Sequence, residues 1–190
     1  MKYELTENTI VIPSHTKKDI VLHQIRALVD IGEIKAGTLG GYIEHTGNLS
    51  GNAWVGDQAQ VYNNAQVFGN ARVLDRARIA GNAQVYQDSR VEGEAEIFGN
   101  VRVYGLASVS GNAQVSGSVE VFESAEISGN AWLSLNAKIY GNAKIRKNAK
   151  VSGSVEIFDK VIISGNMDIH GNVKIQGKGK LNKSVGILQK

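Results

Sequence analysis

Asn63-Asn64-Ala65-Gln66-Val67-Phe68-Gly69-Asn70-Ala71-Arg72-Val73-Leu74 is one six-residue phrase written twice. Working outward from it in both directions, an aliphatic residue recurs every six positions from Leu49 to Ile187, through 24 consecutive hexads without an insertion or deletion. A second series of small residues runs two places ahead of it, as in Ala53, Ala59, Ala71, Ala77, Ala83 and Ala95. A fixed period this short marks a solenoid.

Two residues separated by one lie on the same face of an extended strand, so each Ala and its aliphatic partner point the same way. The Gly-Asn pair between hexads tolerates positive φ and turns the chain at little steric cost. Three short strands and three corners then close a triangular coil of about eighteen residues, and the hexads make about eight coils stacked at roughly 4.8 Å. Aliphatic side chains are expected to fill the bore, and Asn64, Asn82 and Asn100 to stack as an amide ladder along the axis.

Residues 1–44 break the period and hold the only Pro, Pro13. A solenoid end exposes apolar side chains and unpaired strand edges, so this segment reads as an N-terminal β cap on a repeat domain spanning 45–190. Thr9–Ile12, Ile20–Val29 and Tyr42–Glu44 read as its strands. Hexads continue to the other end, where Leu181, Val185, Ile187 and Leu188 are expected to form an end interface buried by self-association.

The 190-residue chain contains no Cys and has no apolar run long enough to span a membrane. It reads as a soluble cytoplasmic protein without a signal peptide. Nucleophilic Cys chemistry is excluded.

Residues eighteen apart stack in columns on the outside. Phe68, Tyr86, Tyr104, Phe122, Tyr140 and Phe158 form one such column in a chain that is only 6% aromatic, so the register is not accidental. These rings are the expected binding or subunit interface, stacked along the coil axis. Charge is uneven along that axis. Residues 49–137 carry five Arg and nine acidic residues, net −4, and 138–190 carry eleven basic and three acidic residues, net +8. The Lys-rich end reads as a solubilising collar, since no recognition helix or nucleic-acid motif accompanies it.

The repeat resembles the hexapeptide-repeat family over 49–187, which implies an all-β, left-handed parallel β-helix. The Gly-Asn-Ala-x-Val runs, with Tyr3-Glu4-Leu5-Thr6 and Leu39-Gly40-Gly41-Tyr42-Ile43-Glu44, are also similar to bacterial and phage proteins labelled putative transferases. That resemblance implies either an assembly or binding protein, acting on a host protein or a small molecule, or an acyltransferase using coenzyme A between subunits. The family's enzymes use a His base in a cleft covered by a loop. This repeat has no loop, and its only candidate base is His170 beside Asp168. One His cannot supply the three that the family's zinc enzymes need, so neither a metal nor a cofactor is expected. The expectation is a non-catalytic β-helix forming a homo-oligomer, a trimer by analogy with hexapeptide-repeat enzymes or a dimer through the open end.

Overall fold

The computed structural model describes residues 1–13 and 18–182. Strand β1 (Tyr3–Ile12) pairs antiparallel with β2 (Ile20–Ala27), which pairs antiparallel with β3 (Leu39–Ile43). A 3-10 turn at Thr46–Asn48 leads into the repeat. Its first strands are β4 (Trp54–Val55), β5 (Gln60–Val61) and β6 (Gln66–Val67), and its last are β23 (Asp168–Gly171), β24 (Lys174–Ile175) and β25 (Lys178–Leu181).

Each repeat strand pairs in parallel with the one three places on, as Arg102 with Glu120 and Val103 with Val121. Three sheets result among the described residues. The first runs β1-β2-β3-β5 and then by every third strand to β23, ten strands in all; the second runs from β4 to β25 with eight; the third runs from β6 to β24 with seven. The architecture is an all-β parallel solenoid of about eight coils, each a six-residue step per face. Backbone groups pair along the axis, as Tyr104 N–H donating to Val121 O at 3.0 Å.

Both inward positions are buried in the hexads from Ala53–Val55 to Met167–Ile169. Val61, Val85, Val103, Ile127 and Ile145 have no exposed surface, and neither do Ala59, Ala77 and Ala95. Ser89 replaces Ala in the bore and its hydroxyl donates to Tyr86 O at 2.8 Å, which removes the cost of a buried polar group. The amide ladder also forms: Asn64 Nδ2 donates to Asn82 Oδ1 at 3.1 Å, and Asn82 to Asn100 at 3.0 Å.

Corners hold a pattern that the repeat unit conceals. Left-handed backbone alternates between Gly and a longer residue along one edge, through Gly69, Gln87, Gly105, Glu123, Gly141 and Asp159. Each longer side chain accepts the amide of the glycine one coil ahead, Gln87 from Gly105 at 2.7 Å and Glu123 from Gly141 at 2.9 Å.

The segment preceding the repeat joins the first sheet through β3, which pairs in parallel with β5. Gly40 and Gly41 permit this approach, since a Cβ on Gly40 would lie 2.5 Å from Val55 O and one on Gly41 2.5 Å from Ala59 O. Buried Asn48 fastens the junction: its amide donates to Asn63 O and Ala65 O, and its carbonyl accepts from Glu44 and His45. Strand β1 starts earlier than the sequence suggests because Tyr3 is anchored, its ring buried and its hydroxyl 2.9 Å from the carbonyls of Thr46 and Leu49. Strand β2 stops at Ala27: Leu28 N–H still donates to Lys2 O at 2.8 Å in the register that pairs Tyr3 with Ala27, but Leu28 and Val29 are exposed to solvent.

Candidate assembly interface

The six aromatic residues follow directly on strands of the third sheet, where the alternation that turns Val67 and Val103 inward turns Phe68 and Tyr104 outward. Their rings stack as one column with centroids 4.8 to 5.0 Å apart and planes within 1° to 8° of parallel. The spacing is that of the strands carrying them, so the backbone sets the stack. Each ring covers its neighbour's face, and the column is half-buried instead of fully exposed. What it offers outward is a line of ring edges, roughly 24 Å long. Lys174 closes one end, its ammonium 5.0 Å from the Phe158 centroid.

Beside the rings runs a second outward column that periodicity alone did not single out: Gln66, Gln84, Arg102, Glu120, Lys138, Glu156. Glu120 sits 3.3 Å from Arg102 and 3.7 Å from Lys138, and Glu156 is 3.4 Å from Lys174. Charge alternates from coil to coil, which only the eighteen-residue register reveals. Tyr104 donates to Glu120 at 3.3 Å. Burial against the neighbouring rings, reinforced by the Glu120 carboxylate, pushes the Tyr104 phenol up to about 12. It remains a neutral donor across the ordinary pH range.

On the second sheet, Glu126 accepts from Lys144 at 2.6 Å and Arg146 at 3.0 Å. These bonds, Lys144 first, hold its carboxyl below the usual range. The basic end is therefore partly neutralised by acids one coil away. Lys147, Lys150, Lys160, Lys178 and Lys180 are exposed around it on different faces. Lys183 lies outside the described residues.

At that end Leu181 and its inward neighbours Val173 and Ile175 are only half-buried, whereas Val155, Ile157 and Ile163 in preceding coils are fully enclosed. Val185, Ile187 and Leu188 of the expected end interface lie outside the described residues. Sequence periodicity also gave no signal for Trp132, Leu135 and Leu106, three large apolar side chains exposed at outward or corner positions.

His170 lies in β23, two residues after Asp168. Its side chain is 71% exposed on the first sheet, 3.6 Å from an equally open Asp168. Among the described residues the strands of the repeat connect by corners alone, with no covering loop to exclude water or tune a base. The acyltransferase alternative, with its coenzyme A, finds no support in this geometry. Among the described residues no group of three or more His, Cys, Asp or Glu is placed to hold a metal ion, and no helix is long and apolar enough to cross a membrane.

Residues 71–174, more than half of the chain, match the family described as "Bactofilin: Polymer-forming cytoskeletal". No curated protein matches the chain.

Proposed function

The chain belongs to the bactofilin family, and from that premise we propose that it is a non-catalytic scaffold whose copies polymerise through the ends of the solenoid. The last described coil carries the reading. Among the described residues, strands β23, β24 and β25 are the outermost members of their sheets on this side, and Val173, Ile175 and Leu181 are half-buried apolar side chains there. Stacking another copy on this end continues the backbone ladder and buries that cross-section, the same two terms that hold neighbouring coils together. Leu181 is thus an end-contact residue, Val185 and Ile187 fall on the two periodic positions of the next hexad, and Leu188 follows them. Self-association, as a dimer, a trimer or a longer polymer, is the activity. The cysteine-free composition suits the reducing cytoplasm in which we place it.

Leu181→Asp tests this. Negative-stain electron microscopy and light scattering should show filaments from the unmodified protein and their loss or shortening in the variant, with the melting temperature of the solenoid nearly retained. A strictly monomeric unmodified protein at tens of micromolar would sink the reading.

A further inference from the structure

The two columns on the third sheet are self-complementary under one rotation, and we propose that they form a lateral, antiparallel contact between two copies of this chain. The two-fold axis lies in the interface along the strand direction, between the coils of Tyr104 and Phe122. Such an axis keeps each column opposite its own counterpart and reverses the direction of the solenoid. It sets Tyr104 against Phe122 of the second copy, Tyr86 against Tyr140 and Phe68 against Phe158, so all six rings are used.

Charge selects the same register. About this axis Arg102 meets Glu120 of the second copy, Gln84 meets Lys138 and Gln66 meets Glu156, so no like charges oppose. An axis through the Glu120 coil sets Glu120 against itself and Arg102 against Lys138, which costs free energy on desolvation. The next axis along, between the coils of Glu120 and Lys138, restores the charge matching but leaves Phe68 and Tyr86 without partners. Parallel pairing turns the ring column onto the charged column and sets Glu120 and Glu156 against aromatic edges instead of against cations. The occupant fixed by this pattern is therefore a second copy running the other way.

The contact is small. A strip roughly 24 Å long and one face wide buries on the order of 300 Å² per copy, below the roughly 800 Å² per partner of a stable standalone interface. Repeated along two filaments the same strip accumulates by avidity. For its persistence the contact rests on the polymer reading above; for its register it does not.

The chain has no Cys, so engineered thiols report unambiguously. Gln84→Cys and Lys138→Cys are outward positions three coils apart within one chain, roughly 14 Å, beyond the reach of a short bis-maleimide. Across the axis they face each other. An equimolar mixture of Q84C and K138C at a concentration where the protein assembles should give a covalent dimer, and each variant alone should give several-fold less. Equal cross-linking by the single variants would show parallel pairing and overturn the proposal. So would absence of cross-linking in the mixture while filaments are visible by electron microscopy. Cross-linking in the mixture without filaments would uphold the lateral register and sink the end-to-end reading instead.

Discussion

A methyl group on Gly129, where φ is +72°, would come within 2.8 Å of the Lys147 amide nitrogen one coil ahead. Gly129→Ala therefore combines left-handed backbone strain with a backbone clash, and should destabilise the solenoid by about 1–3 kcal/mol in chemical denaturation. Gln87 occupies a left-handed corner with φ of +60° and repays that strain by accepting the Gly105 amide. Gln87→Ala should cost about 1 kcal/mol and Gln87→Gly less, because glycine relieves the strain as the bond is lost. An alanine variant as stable as the parent would refute the capping role. In the bore, Val103→Asp buries an unpaired carboxylate in a site with no exposed surface, and should cost several kcal/mol and broaden the thermal transition. Inward positions were legible from the hexad alone, since burial follows strand alternation within one coil. The corner pattern was not, because each amide bond joins residues a full coil apart.

Each ring in the aromatic column stacks on one or two neighbours, and the stack follows the strands of the third sheet. Removing Tyr104 and Phe122 together, as Tyr104→Ser with Phe122→Ser, opens a gap in the middle of the column. It should lower the melting temperature, leave the β signal intact and abolish lateral cross-linking. Tyr104 also gives the column a pH dependence. Its folded phenol ionises near 12 against about 10 in an unfolded chain, so the unfolded state releases the proton first as pH rises. The stabilisation is present below pH 10 and is lost progressively towards pH 12. Tyr104→Phe should flatten the fall in melting temperature over that window, and phenolate absorbance should lose a late-titrating component; an unchanged titration would contradict the assignment. The column itself could be read by counting in eighteens. Its half-burial could not, because it depends on ring faces closing against one another at the strand spacing.

Along the whole molecule, charge passes from net −4 over residues 49–137 to net +8 over 138–190. Copies that associate antiparallel bring these regions together, so light scattering at fixed concentration should fall as salt is raised to about 0.5 M, where screening lengths shrink to a few ångströms. Scattering that rises instead would show apolar burial outweighing charge. Architecture at this scale was plain in the sequence because every hexad repeats the same instruction. Residues 1–44 repeat nothing, so the joining of β3 to β5 and the close approach at Gly40 and Gly41 appear only when the two segments are packed. The same joining makes the three sheets unequal, with ten, eight and seven strands. A prism with three level faces could seat a neighbour at any of three azimuths. Among the described residues one wall stands above the other two, with β1 as its rim; in the polymer proposed above, a copy docked on that end would be indexed to a single rotational setting, and a chain of such joints would keep its aromatic strips in fixed phase.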